Sequence, residues 1–250
     1  MTNKRVGTIC KLFQKHGYRH DLNTLFSDCI EMMALAVSNS VDITHWQERE
    51  DRYMKLTERY DAEILATFTN VLAEITLALE EAPGDIMGEV FHALELHNKH
   101  RGQFFTPYHV CSLMAKIVCD PKQAKQTIDQ QGHIFVHEPA VGAGAMVIAM
   151  AETLREEGIN YQQTMHVQAV DIDRKAVHMA YVQFSLLHIP AVLIRGDSIA
   201  MTCEEVWLTP AHVLGRWTSK LKEPNSAQQT TSLTLPKVAS LGQLPLFEPG

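Results

Sequence analysis

Residues 134–144 read Ile-Phe-Val-His-Glu-Pro-Ala-Val-Gly-Ala-Gly, and this stretch decides the fold. Its apolar first part predicts a short buried strand, and the glycines that follow predict a tight turn into a helix. Two similar apolar runs follow at regular spacing, with helical patterns between them. The predicted strands are Ile134–His137, Val167–Val170 and Ala191–Ile194, and the predicted helices are Ala145–Glu157 and Arg174–His188. Strands that alternate with helices in this way indicate a parallel α/β sheet.

The rest of the chain predicts two flanking regions. Residues 1–100 carry apolar side chains at helical spacing and predict an N-terminal helical region. Residues 101–222 then form the predicted α/β domain, which the glycine segment marks as cofactor-binding. Residues 223–250 are rich in Ser, Thr, Gln and Pro and have no helical period, which predicts a flexible tail.

One helix is predicted between these regions. Thr106 and Pro107 are typical of a helix start, with Thr106 as N-cap and Pro107 as the first helical residue. Its predicted buried face consists of Val110, Leu113, Met114, Ile117 and Val118. The polar residues 120–132 that follow predict a loop.

Composition excludes several classes of protein. Of the 250 residues, 46% are hydrophobic and 20% charged, which excludes wholesale disorder. A net charge of -7 argues against coating nucleic acid by charge alone. We expect no membrane span, no metal site and a cytoplasmic location, because no long uninterrupted apolar run or Cys/His grouping occurs and the five cysteines form no CxxC pair.

The chemistry-bearing residues follow the predicted strands. Gly142 and Gly144 permit close approach of a ligand to the backbone, and Asp171 and Asp197 follow the next two strands. Ligands of such sheets bind at the carboxyl ends of the strands. Asp173 is better explained as a helix N-cap. Glycines in this pattern also occur in dinucleotide-binding dehydrogenases, although Val147 occupies the position of their third glycine.

Four segments in order give the chain a specific resemblance. They are Gly102–Pro107 (GQFFTP), Glu138–Gly144 (EPAVGAG), Asp171–Asp173 (DID) and Gly196–Ser198 (GDS). They resemble the motifs of adenine-N6 DNA methyltransferases, most closely the modification subunits of type I restriction systems. Asp85–Phe91 also resembles an entry helix of that family. The resemblance covers about residues 85–200 and implies a Rossmann-like core that depends on S-adenosylmethionine, with DNA as partner.

The resemblance also implies roles for individual residues. Phe105, Thr106 and Pro107 would cradle the methionine part of the cofactor, Glu138, Ala140, Gly142 and Gly144 would line its loop, Asp171 would hold the ribose, Ile172 would pack on the adenine ring, and Asp197 would accept from the adenine amino group. Carboxylates suit hydroxyl and amine donors, and an apolar side chain suits a flat ring.

The sequence departs from the family at the target-base segment. The family carries Asn-Pro-Pro-Tyr or a close variant, whereas no two of the ten prolines here are adjacent. Thr209 and His212 are the remaining catalytic candidates near the expected place. Only three strands are predicted against the family's seven, so the core is expected to be incomplete. A second subunit, a self-dimer or the N-terminal helices would then cover the open sheet edge. The alternatives are a catalytically silent binding module or one half of a split enzyme.

The tail carries one further motif. Gln243, Leu244, Leu246 and Phe247 resemble the short peptide with which bacterial proteins bind the DNA sliding clamp. Leu246 and Phe247 would be its apolar anchors. The alternative is that these apolar residues pack back onto the body of the protein.

Overall fold

The computed structural model of the chain describes residues 4–96 and 105–222. Helices come first, and the strands begin only at Ile134. In chain order the elements are α1 (Lys4–Gln14), α2 (Leu22–Asn39), α3 (Trp46–Thr57), α4 (Ala62–Glu81), α5 (Ile86–Ala93), α6 (Tyr108–Val118), α7 (Pro121–Gln131), β1 (Ile134–Glu138), α8 (Ala145–Glu156), α9 (Tyr161–Thr164), β2 (Met165–Asp171), α10 (Arg174–Leu186), β3 (Ala191–Arg195), β4 (Glu205–Leu208), α11 (Pro210–Leu214) and α12 (Trp217–Lys220).

The four strands form one sheet in the order β1-β2-β3-β4. β1 pairs in parallel with β2, and β2 pairs in parallel with β3. β4 runs antiparallel to β3, so that Glu205 lies opposite Arg195. The three predicted strands and their parallel arrangement are therefore confirmed.

Two elements correct the sequence prediction. The number of strands was wrong by one, because β4 has only four residues and its alternation is too short to stand out. The loop predicted at 120–132 is the helix α7. The carboxylate of Asp120 accepts from the Lys122 amide at its start, and Gly132 ends it with a φ of 80°. Its lack of buried residues hid the helical period.

α6 corrects the prediction in two further respects. It starts at Tyr108 with Pro107 in the capping position, so Thr106 is not the N-cap. The small side chains of Cys111 and Ala115 pack against α8, which brings the two helices close together. The apolar residues predicted to be buried point elsewhere: Val110 is half-buried, and Leu113, Met114, Ile117 and Val118 are exposed.

The N-terminal helices pack onto the sheet through α10. This helix contacts β2 and β3 as well as α2. The largest cluster of buried apolar side chains extends from Val6 in α1 to Trp207 in β4. α4 is long and apolar enough to cross a membrane by length and composition alone. Here it is a core helix, because its buried residues face the helices α1 and α5.

Candidate functional site

The parallel strands end at one edge of the sheet, and acidic residues gather there. Glu138 is the last residue of β1, Asp171 is the last residue of β2, and Asp197 lies two residues beyond the end of β3. The structure thus brings the three predicted carboxylates to the same edge. This is where the sequence predicts the cofactor loop.

The loop between β1 and α8 depends on its glycines. Gly142 has a φ of 56° and Gly144 a φ of 103°, both in the left-handed region that favours glycine. A Cβ on Gly142 would lie 2.9 Å from Cδ1 of Phe105, and one on Gly144 would lie 2.6 Å from Cε1 of Phe184. Any larger residue would force these rings away, so the two glycines let the loop sit directly against aromatic side chains.

Asp171 ties this loop to the end of β2. The amide of Gly142 donates to Oδ2 of Asp171 at 2.8 Å, and the amide of Asp173 donates to Oδ1 at 2.9 Å. Burial raises the pKa of Asp171, while these two hydrogen bonds act in the opposite direction. Each carboxylate oxygen has a second lone pair, so Asp171 retains acceptor capacity for a ligand hydroxyl.

Glu138 has a similar environment at the end of β1. Its Oε1 accepts from the amide of Ala140 at 3.2 Å. Burial raises the pKa of Glu138, and the nearby charge of Asp171 adds to this effect. A bound cation or hydroxyl donor would therefore be matched by two partly desolvated carboxylates at neighbouring strand ends.

Phe105 closes the loop from the side of α5. Its ring centroid lies 4.9 Å from that of Phe91 and 5.9 Å from that of His92. Thr106 and Pro107 follow it and are exposed. Phe105 therefore borders the glycine loop at Gly142.

Ile172 and Asp197 complete the edge. Ile172 is 68% exposed although it is apolar, and it lies between Asp171 and Asp173. Asp197 accepts from the amides of Ile199 and Ala200 at 2.8 and 2.9 Å, which orders the turn after β3. Asp173 caps α10 by accepting from the Lys175 amide, so its predicted role as N-cap is confirmed.

Thr209 and His212 lie at the other end of the strands. Thr209 follows the antiparallel β4, and its amide donates to the carbonyl of Ala191, the first residue of β3. The Thr209 hydroxyl donates to the Ile189 carbonyl and accepts from the Ala191 amide. Both candidates are buried. The structure therefore separates them from the cofactor edge by the length of β3.

His212 belongs to a buried histidine pair that sequence patterns did not reveal. Its Nδ1 lies 2.9 Å from Nε2 of His166, and its Nε2 lies 3.0 Å from the hydroxyl of Thr218. Burial lowers the pKa of His166 to about 3 and that of His212 to about 4. Both imidazoles are consequently neutral at ordinary pH, and they hold α11 and α12 against the start of β2.

Gln183 is a second residue that the sequence analysis missed. It lies on α10 beside the glycine loop and is completely buried. The sequence signal for Gln183 is that it carries the one side-chain amide within the buried stretch Ala176–Phe184 of α10. The tail residues Gln243, Leu244, Leu246 and Phe247 lie outside the described residues, so the clamp peptide stays a prediction.

The family assignment comes from comparison with known proteins. Residues 83–209, just over half of the chain, match the family described as N-6 DNA Methylase. The chain belongs to the N-6 DNA methylase family. No curated protein matches it.

Two solved structures are similar to this chain. One is a Listeria monocytogenes protein described as a class I S-adenosylmethionine-dependent methyltransferase, with 14% identity, a TM-score of 0.39, and coverage of 71% of this chain and 55% of that chain. The other is a type I restriction-modification methyltransferase subunit from Streptococcus thermophilus, with 13% identity, a TM-score of 0.38, and coverage of 78% and 58%. This chain spans just over half the length of either protein.

Proposed function

We propose that this chain binds S-adenosylmethionine at the carboxyl ends of β1, β2 and β3 and takes part in adenine-N6 methylation of DNA. Phe105, Thr106 and Pro107 contact the methionine part, Glu138, Ala140, Gly142 and Gly144 line the loop, Asp171 holds the ribose hydroxyls, Ile172 packs on the adenine ring, and Asp197 accepts from its amino group. Membership of the N-6 DNA methylase family supports this assignment.

The observation that carries the proposal is the hydrogen bond from the Gly142 amide to Asp171. It joins the glycine loop and the acidic strand end into one cradle before any ligand arrives. The residues fit the cofactor chemically, because Glu138 and Asp171 present half-buried carboxylates that suit its hydroxyl and ammonium donors. A preorganised cradle loses less entropy when it binds.

We further propose that a second polypeptide completes the target-base site. When bound, S-adenosylmethionine would supply an electrophilic methyl group to the amino nitrogen of a flipped adenine, while Asp171 and Asp197 would hold its ribose and its adenine ring. An acceptor must then take the amine proton. The absence of adjacent prolines from residues 1–250, and the location of Thr209 and His212 at the opposite edge, support an origin of that acceptor outside these residues. In this proposal the protein is the cytoplasmic cofactor-binding half of a split enzyme.

Calorimetric titration with S-adenosylmethionine tests the cofactor site. We expect the wild type to bind and Asp171→Asn to bind at least tenfold more weakly, because the amide cannot match the carboxylate as acceptor for two hydroxyls. Asp120→Asn is the matched control, since Asp120 caps α7 away from the site and Asn retains the cap. Absence of binding by the wild type would refute the proposed function.

A further inference from the structure

Gln183 has three hydrogen-bond partners, and they belong to two different parts of the protein. Its Nε2 donates to the carbonyl of Ala143 at 2.8 Å and to Oδ1 of Asp85 at 3.0 Å. Its Oε1 accepts from the amide of Met87 at 3.1 Å. Ala143 lies between the two glycines of the loop, whereas Asp85 and Met87 form the start of α5. One buried side chain therefore links the loop to an N-terminal helix.

The loop end of this link fixes a single peptide unit. Gln183 holds the carbonyl of Ala143, and the amide of Gly144 in the same peptide unit donates to the carbonyl of Val141 at 2.9 Å. A peptide plane held at both its carbonyl and its amide cannot rotate. The neighbouring amide of Gly142 therefore keeps its direction towards Asp171.

The other end of the link is equally constrained. Asp85 is buried and also accepts from the amide of Gly88 at 2.9 Å, which caps α5. A Cβ on Gly88 would lie only 2.0 Å from Oδ2 of Asp85, so the cap requires glycine there. Burial raises the pKa of Asp85, and the hydrogen bond from Gln183 opposes that shift.

α5 reaches the same loop by a second route. Phe91 of α5 packs against Phe105, and the ring of Phe105 lies against Gly142. α5 is therefore linked to the loop in two ways. Asp85 accepts a hydrogen bond from Gln183, which also holds Ala143, and Phe91 packs on Phe105, which lies against Gly142.

We propose that Gln183 is a positioning residue that holds the glycine loop in its binding conformation by joining Ala143 to the start of α5. This inference rests on the proposed cofactor site, because it assigns that site a residue which does not touch the ligand. Removal of the amide leaves the Ala143 carbonyl without its donor, the Met87 amide without its acceptor, and Asp85 with the Gly88 amide alone. The peptide unit can then rotate, and the loop must be ordered again at each binding event.

Gln183→Met tests the proposal in the full-length protein, since methionine keeps the length and removes the amide. Thr153→Val is the matched control, because Thr153 is buried on α8 and its hydroxyl donates to Ala149 within that helix. We expect hydrogen exchange at the amides of Gly142–Ala145, measured without ligand, to be at least tenfold faster in Gln183→Met and unchanged in Thr153→Val. Loop exchange equal to that of the wild type in a folded Gln183→Met would overturn the proposal.

Gln183→Glu provides a second variant with a distinct signature. Its carboxyl can donate to Ala143 only when protonated, and burial next to Asp85 favours the protonated form. Acidification should therefore raise the protection of the loop amides, expressed relative to intrinsic exchange at each pH, towards the wild-type value in this variant, with no such change in the wild type. Equal pH profiles would contradict the inference, and this comparison decides the matter if Gln183→Met does not fold.

S-adenosylmethionine affinity separates the two proposals. We expect at least tenfold weaker binding in Gln183→Met and less than a twofold change in Thr153→Val. A wild type that does not bind refutes the cofactor assignment, while loop exchange still decides the role of Gln183. A wild type and a Gln183→Met variant with equal affinity leave the cofactor site intact and refute the positioning role.

Discussion

The two outer edges of the sheet differ in how the rest of the chain covers them. At the β4 edge, the guanidinium of Arg49 on α3 donates to the carbonyl of Val206 at 2.9 Å and lies 4.4 Å above the ring of Trp207. At the β1 edge, no strand among residues 4–96 and 105–222 pairs with the outer side of the backbone, and Phe135 is 51% exposed. The N-terminal helices therefore close one edge and leave the other open.

The helices near β1 strengthen this contrast. α10 covers β2 and β3. α6 packs on the small side chains of α8. The opposite face of α6 is exposed to solvent and carries Leu113, Met114, Ile117 and Val118. An unpaired strand edge and an exposed apolar helix face are both features that proteins normally cover. The β1 edge is therefore the one at which further strands could pair.

Arg49→Met tests how the β4 edge is closed, and it should have the largest effect. Arg49 is buried and also pairs with Asp42, so its loss leaves that buried carboxylate with the donors from Thr44 and His45 alone and the Val206 carbonyl without this donor. We expect the free energy of unfolding to fall by about 3–5 kcal/mol, the usual cost of breaking a buried ion pair. Urea denaturation measures this change.

An exposed ion pair gives the control for Arg49. Arg155 pairs with Glu152 on α8, and its side chain is 59% exposed. Arg155→Met should cost less than about 1 kcal/mol, because solvent screens such pairs. A similar cost for both variants would mean that Arg49 does not close the β4 edge.

The histidine pair gives the next largest effect and makes the β1 side sensitive to pH. The pKa of His212 is about 4 in the folded protein, below its ordinary value of 6.5, because the imidazole is buried. Between these values the unfolded chain binds a proton that the folded chain does not, so stability falls as pH decreases. We expect His212 to contribute a loss of about 2 kcal/mol between pH 6.5 and 4.

His212→Gln should flatten that pH dependence, measured as the free energy of unfolding at several pH values. His109 is exposed on α6, and His109→Gln should leave the slope unchanged. Acid should therefore loosen the start of β2 first, where the two imidazoles are buried. An identical slope in the wild type and in His212→Gln would exclude His212 as a source of the pH dependence.

Sequence patterns predicted the part of the fold in which local signals agree. The glycine loop, the three parallel strands and the acidic strand ends each follow from a run of a few residues. The cap at Asp173 could be predicted for the same reason, since a capping carboxylate acts on its own helix. These features need no knowledge of which elements become neighbours.

The features that were missed depend on tertiary neighbours. The apolar residues of α6 predict that their face is buried. Burial depends, however, on which face another helix contacts, and the small side chains of Cys111 and Ala115 allow α8 to approach more closely on the other face. Gln183 looks like an isolated polar residue until Ala143 and Asp85 meet it. Residues far apart in sequence carry such contacts, so no local pattern contains them.

Self-association should distinguish the β1 edge from the β4 edge, with the smallest expected effect on stability. We expect the purified chain to self-associate through the β1 edge and α6, because an open strand edge is a template for further pairing. Leu113→Ser/Ile117→Ser should weaken association at least tenfold in sedimentation velocity. It should change the free energy of unfolding by less than about 0.5 kcal/mol, since both side chains are already exposed.

Leu214 on α11 is equally exposed, and Leu214→Ser should leave association unchanged. A wild type that remains monomeric throughout the micromolar range would contradict self-association, and equal weakening by Leu214→Ser would contradict α6 as its site.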